Sequence, residues 1–259
     1  MIVVKVGGSA GIDREAVAAD VAALSAQGER VVLVHGASAE TDRLSELLGH
    51  PSRTVVSPSG QQSRRTDRRT LEIFAMAALG IETFSYVELL RRHGANGVGV
   101  FGALSGPRKH VRAREGERVV VLRDDYTGKV ERVDARALAA LLESGAVPVL
   151  PPLAVSDDGE GLNVDGDRAA ASIATALAAD TLVILTNVPG LLRAVEDTGS
   201  LLRQVSVEEA ETFAQGRMKK KAMAAREALA GGVRRVQISS AQLDRPVRRA
   251  LEGAGTLVG

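Results

Sequence analysis

Three short runs constrain the fold most. Residues 2–6 (IVVKV), 30–34 (RVVLV) and 181–185 (TLVIL) are almost unbroken stretches of strand-forming apolar residues. Runs of this length suit strands of a parallel sheet covered on both faces, since a strand buried on one face alternates apolar with polar residues. The first leads into Gly7 and Gly8, the second into His35, Gly36, Ala37 and Ser38, and a helical pattern follows each. Val17, Val21 and Leu24 recur at helical spacing between Asp13, a candidate N-cap, and Gly28, a candidate stop. A second helix is expected over residues 39–48. Strand and helix in alternation predict an α/β protein, here a three-layer α/β/α sandwich with a central, mainly parallel sheet. Small residues that end a strand and open a helix also point backbone N–H groups at an anion. Lys5 supplies a cation beside them.

Further along, residues 54–56 read as a short strand or hairpin. A helix is expected from about Ser63, carrying Arg64, Arg65, Arg68 and Arg69 ahead of Leu71, Ile73 and Phe74, and helix resumes over 86–93. A Gly-rich strand follows at 94–102. Over 107–126 charged residues alternate as in an antiparallel ribbon, with 129–133 expected to pair with it. A helix at 138–143 and a strand at 146–150 close the first half. In the second half, helices over 167–179, 207–215 and 218–230 alternate with strands at 181–185, 233–238 and 256–258. No linker separates the halves, so the 259 residues are expected to form one domain.

Composition excludes several classes. Aromatic residues make up 2% and Trp is absent, which leaves no stacking platform for single-stranded nucleic acid. With no cysteine there is neither a disulfide nor a thiolate site, as fits a cytoplasmic protein. A net charge of +1 rules out a globally basic nucleic-acid binder. No signal pattern opens the chain, and no uninterrupted apolar segment approaches a membrane span.

Three elements carry cations, phosphate-directed amides or both: Lys5 with Gly7 and Gly8, His35 with Gly36, and the run QGRMKKK at 215–221. Asn163 to Asp167 (NVDGD) opens a helix between them. A phosphate loop of the form GxxxxGK followed by Ser or Thr is absent, and KVGGSAG lacks the spacing of a dinucleotide site. The ordered motifs KVGG, HGxS, SRRTDRRTLEIF, DYTGKVE, NVDGD, TNVPGLL and GRMKKK resemble the amino acid kinase family, with its carbamate kinase-like fold, over nearly the whole chain. Within it the chain is most similar to the acetylglutamate kinase branch that phosphorylates 2-aminoadipate in lysine biosynthesis, held on a small acidic amino-group carrier protein.

The resemblance implies transfer of the γ-phosphoryl group of ATP, with Mg²⁺, to a carboxylate. Residues up to about 155 would bind the acceptor and 156–259 the nucleotide. Lys5 and Lys221 would be the transition-state lysines and Asp167 the carboxylate that organises them. Gly7, Gly8 and Gly36 would offer amides to the transferred phosphate. Ala37, Arg64 and Asn163 would face the acceptor, and Thr186, Asn187, Gly190, Met218 and Lys219 the nucleotide. No set of protein metal ligands is expected. The family usually has glycine at Ala37, and Ala tolerates positive φ poorly. Ser38 can equally be read as a helix N-cap, Asp165 as a cap, and residues 186–190 as a plain strand exit.

Arginines crowding a helix N-terminus oppose the helix dipole and call for an anion. Arg64 matches the family arginine that grips the substrate carboxylate. Arg65, Arg68, Arg108 and Arg112 exceed what a small acid needs, and two readings stand for the alternating basic run at 108–114: a solvated edge strand, or a docking face for the acidic carrier. The implied assembly is a homodimer. Rival readings are a kinase of free N-acetylglutamate, or of carrier-bound glutamate, in arginine biosynthesis, and a nucleotide-binding module without turnover.

Overall fold

The computed structural model describes residues 1–58, 60, 62–116 and 118–259. Its strands in chain order are β1 (Ile2–Val6), β2 (Val31–His35), β3 (Thr54–Val56), β4 (Gln62–Arg64), β5 (Asn96–Gly99), β6 (Leu104–Ser105), β7 (Val111–Glu115) and β8 (Arg118–Leu122). They continue with β9 (Arg132–Val133), β10 (Ala146–Leu150), β11 (Leu153–Val155), β12 (Gly161–Asn163), β13 (Thr181–Thr186), β14 (Gln204–Val205), β15 (Arg235–Ser240) and β16 (Thr256–Val258). The helices are α1 (Arg14–Ala26), α2 (Ser38–Leu47), α3 (Arg68–Ala75), α4 (Phe84–Arg92), α5 (Ala135–Glu143), α6 (Gly166–Ala176), α7 (Val207–Phe213), α8 (Met218–Ala230) and α9 (Pro246–Leu251). A π-helical stretch, Met76–Thr83, joins α3 to α4.

The central sheet has eight strands in the order β14-β16-β15-β13-β1-β2-β10-β5. All its pairings are parallel except β15 with β16. Strand β1 sits at the seam, with β2 on one side and β13 on the other, so four strands come from each half of the chain. Side chains alternate along β1. Val3 faces the layer of α6 and α8, whereas Ile2, Val4 and Val6 face the layer that contains α1 and Tyr86. Lys5, two residues after Val3, therefore projects into the first layer. The sandwich has the three layers that the strand-helix alternation predicts.

Local chemistry sets the helix starts. Asp13, Asp67, Asp134 and Asp165 each accept a backbone N–H of the first turn that they precede, and Ser206 with Glu209 forms a capping box ahead of α7. Asp67 corrects one expectation. Its extended backbone and its bond from Thr70 N at 2.8 Å start α3 at Arg68, not near Ser63, and residues 62–64 pair instead with β3 as a hairpin. A second correction concerns β9, which pairs with β6. The basic ribbon β7–β8 is a separate two-stranded sheet, and residues 127–129 meet the chain just ahead of it, at the bridge of Arg108 with Gly128 and through Lys109 N–H to Thr127 O and Lys129 N–H to Pro107 O.

The glycines of β5 have a packing role. A Cβ at Gly99 would stand 2.7 Å from Thr83 Cγ2, and one at Gly97 3.0 Å from Leu90 Cβ, so helix and strand meet closely there. The continuous helix over 68–92 is long and apolar enough by composition to cross a bilayer. In this fold Ile73, Phe74, Tyr86 and Leu90 are buried against protein.

Candidate active site

Lys5 and Lys221 converge on one carboxylate. Lys5 Nζ lies 2.6 Å from Asp167 Oδ1, and Lys221 Nζ donates to Oδ2 at 3.0 Å. All three side chains are about nine-tenths buried. Asp167 is in the first turn of α6, whose N-cap Asp165 accepts from the Asp167 and Arg168 amides and also pairs with Lys220 at 3.2 Å. Lys221 occupies the inward side of α8, which packs along α6. Gly166 lies against the lysine, since a Cβ there would make ordinary contact with Lys5 Cε at 3.5 Å. Burial by itself would raise the Asp167 carboxyl, but the charges and hydrogen bonds of Lys5 and Lys221 outweigh it and hold it at about 2. Burial, followed by the nearby Lys5 charge, lowers the Lys221 ammonium against the opposing pull of Asp167.

Beside this cluster the two glycine loops meet backbone to backbone. A Cβ on Gly8 would come within 2.3 Å of Ala37 N and 2.7 Å of Ser38 N, and one on Gly36 within 2.5 Å of Gly8 N. Only glycine fits either position. The expectation that all three glycines offer amides is corrected: Gly7 N–H donates to Leu185 O and Gly36 N–H to Val6 O. Among the described residues no acceptor takes the Gly8, Ala37 or Ser38 N–H, so these three are free for an anion. Ala37 has φ −143, so the backbone there does not enter the left-handed region that would call for glycine. Ser38 is not an N-cap; it is the first residue of α2 and its hydroxyl donates to Gly8 O.

On the hairpin side, Arg64 reaches Asp42 at 2.6 Å, Ser52, and the carbonyl of Ser38 at 3.3 Å, which brings its guanidinium to the start of α2. Asn163 ends β12 and donates to Thr66 Oγ1 at 3.0 Å. Arg65 and Arg108 are not free for docking. Arg65 is held by both oxygens of Asp124 at 2.8 Å, and Arg108 donates to the carbonyls of Asp125 and Arg123 while lying over Tyr126. Arg68 and Arg69 both face Glu72, which supplies the anion that their place on the helix demands. Arg112 is exposed and has no partner among the described residues.

Thr186 is buried at the end of β13, next to the exposed Asn187. Gly190 is a packing position, where a Cβ would meet Thr256 Oγ1 at 2.7 Å. Met218 and Lys219 open α8, with Lys219 exposed. Two contacts escape sequence reasoning: Arg217 donates to Ser9 Oγ at 2.9 Å, tying the start of α8 to the loop after β1, and Lys220 braces Asp165. Both lie inside the QGRMKKK run, whose outward and inward faces periodicity alone does not separate. Among the described residues no three His, Asp or Glu side chains converge on a metal position.

A parallel α/β sandwich with two buried lysines on one aspartate and free amides beside them is the architecture of a phosphoryl-transfer site. The chain belongs to the amino acid kinase family, whose pattern matches residues 1–240. It is 50% identical to the LysW-aminoadipate kinase of Thermus thermophilus over the full length of both chains, and 51% identical to that of Deinococcus radiodurans, covering all of this chain and 91% of the other. Among solved structures it is similar to the N-acetylglutamate synthase of Neisseria gonorrhoeae, with TM-score 0.80 and 29% identity. That match takes in all of this chain and 59% of the synthase.

Proposed function

We propose that this protein transfers the γ-phosphoryl group of ATP to the side-chain carboxylate of 2-aminoadipate carried on a small acidic amino-group carrier protein, releasing ADP and an acyl phosphate for lysine biosynthesis. The observation that carries the reading is the convergence of Lys5 and Lys221, 216 positions apart in the chain, on the two oxygens of Asp167. The acceptor carboxylate is ionised at neutral pH, because an ordinary carboxyl titrates near ~4.3, so the site needs no general base. Its work is electrostatic. An acceptor oxygen attacks the γ-phosphorus as the bond to the ADP oxygen breaks, and negative charge spreads over the moving PO₃ unit. Lys5 and Lys221 flank that charge, Asp167 pairs with both and holds them in place, and the Gly8, Ala37 and Ser38 amides face it.

Arg64 is suited to a carboxylate of the acceptor through its planar guanidinium, and Asn163 is joined to the same segment through Thr66 Oγ1, which donates to Arg64 O. Mg²⁺ would neutralise phosphate charge. Both Asp167 oxygens are taken by lysines, so its ligands would come from the nucleotide phosphates and water, as is common for this ion. Thr186, Asn187, Gly190, Met218 and Lys219 are assigned to the nucleotide. Identity of about half over the whole length with two LysW-aminoadipate kinases supports the carrier-bound substrate. We assign the protein to the cytoplasm as one domain, and to a homodimer, for which the exposed Leu47, Leu48, Met76 and Phe84 provide apolar surface.

The test is turnover with ATP on carrier-bound aminoadipate and on free N-acetylglutamate, trapping the acyl phosphate with hydroxylamine. Hydroxamate formed on the carrier, at a rate far above that with N-acetylglutamate, is the expected result. The reverse preference would move the protein to arginine biosynthesis, and hydroxamate from neither would leave it a binding module.

A further inference from the structure

A cavity of about 230 Å³ lies behind the loop after β1. The reacting groups are in the layer of α6 and α8, whereas Tyr86, which lines this cavity, is in the layer on the opposite face of the sheet. Its wall is residues 7–12, so that it adjoins the phosphate-facing loop at Gly8, together with Arg14, Ala39, Glu40, Glu82 and Tyr86. Tyr86 is 1% exposed and stacks on His35 at 5.6 Å. Its hydroxyl bonds to nothing among the described residues and is not sealed off, so it opens onto the cavity. A buried tyrosine hydroxyl ordinarily finds a partner.

The two carboxylates are half satisfied in the same way. Glu82 is 7% exposed; Arg14 Nη1 takes its Oε2 at 3.3 Å, and Oε1 has no partner among the described residues. Glu40 accepts from Arg43 through Oε2 at 2.8 Å and keeps its other oxygen open. Burial and the neighbouring Glu40 charge raise the Glu82 carboxyl despite Arg14. The wall thus carries one guanidinium against two carboxylates, with two carboxylate oxygens that receive no donor among the described residues and one phenol oxygen that can accept as well as donate. An alkylammonium has three N–H donors, no acceptor and one positive charge. The volume, under the ~300 Å³ at which drug-sized sites begin, suits a small molecule. We propose that this cavity binds the ammonium group of a small organic amine, held by Glu40, Glu82 and the Tyr86 hydroxyl.

The experiment is a titration of the full chain with n-butylammonium, followed by amide chemical shifts. Butyrate and Mg²⁺ serve as counter-probes. Saturable shifts centred on Gly11, Glu40 and Glu82 with n-butylammonium alone are expected. Tyr86→Phe, which preserves packing, should weaken binding ~3- to 10-fold and Glu82→Gln ~10- to 100-fold, as for loss of a neutral and a charged hydrogen bond. No saturation by roughly 100 mM, well beyond the millimolar range, would overturn the assignment. So would equal affinity in the folded Tyr86→Phe variant, or binding of butyrate or Mg²⁺ at the same residues.

Discussion

Asp167 is at once the most buried charge of the site and the one most in need of its neighbours. Its two lysines cannot lose it cheaply. Leaving a buried ion without its partner costs about 3 to 5 kcal/mol, so Asp167→Asn should lower thermal stability as well as activity. Because its folded carboxyl is held at about 2, below the unfolded value near ~3.9, its stabilising contribution is complete above the unfolded value and is lost as pH falls toward 2. Acid unfolding followed by circular dichroism should therefore show a shallower slope between those values in Asp167→Asn. Lys221 titrates the other way. Its ammonium is lowered, so it sheds its proton at a pH below the ~10.4 of a free lysine, and kcat/KM should decline on the alkaline side earlier than an exposed lysine would dictate. Lys221→Arg should push that limb upward out of range. Lys5→Ala should reduce kcat by ~100- to 1,000-fold, in the manner of a lost transition-state donor, with a much smaller change in KM for ATP. A near-normal kcat would remove Lys5 from the chemistry.

Elements were legible wherever a single physical signal governed them. β1, β2 and β13 announce themselves as almost unbroken apolar runs, and the residues that end β1 and β2 lead to the loops that meet at Gly8 and Gly36. What the sequence concealed was packing between distant backbones. That Gly8 touches Ala37 N, and that Gly7 and Gly36 have already committed their amides, depends on strand register, which no local pattern encodes. β3 is legible as a short strand or hairpin, but its partner β4 is lost to a helix expected from about Ser63, because arginine is a good helix former and the cap at Asp67 lies beyond it. Register also makes a test. Gly8→Ala and Gly36→Ala must force two loops apart, at the ~1 to 3 kcal/mol typical of overpacking, and should abolish most turnover because the free amides move with them. Gly80→Ala is the control. Nothing lies within 4 Å of its Cβ and its φ is not positive, so the helix should gain up to about 1 kcal/mol in thermal melts while kcat is unchanged.

On the scale of the whole molecule, the near-neutral total charge hides a local asymmetry that bears on how a carried substrate would arrive. Pairing within the chain occupies Arg65, Arg68, Arg69 and Arg108, and leaves Arg112 and Arg114 exposed on the ribbon. They are directly opposite Val121 and Val119, each 51% exposed, so one face of β7–β8 presents two cations flanked by apolar side chains. Such a face suits an acidic partner with some apolar contact better than it suits water alone, since charged edges meant only to prevent pairing need no exposed valines. Steering by these charges would act mainly on the rate of encounter. Arg112→Glu with Arg114→Glu should therefore raise KM for the carrier-bound acceptor by about tenfold or more, leaving kcat and KM for ATP unaltered. Raising salt from 0.1 M to 1 M, which shrinks the Debye length from ~10 to ~3 Å, should raise wild-type KM toward that of the double variant and barely move the variant itself. Equal salt dependence in the two proteins would place the docking surface elsewhere on the molecule.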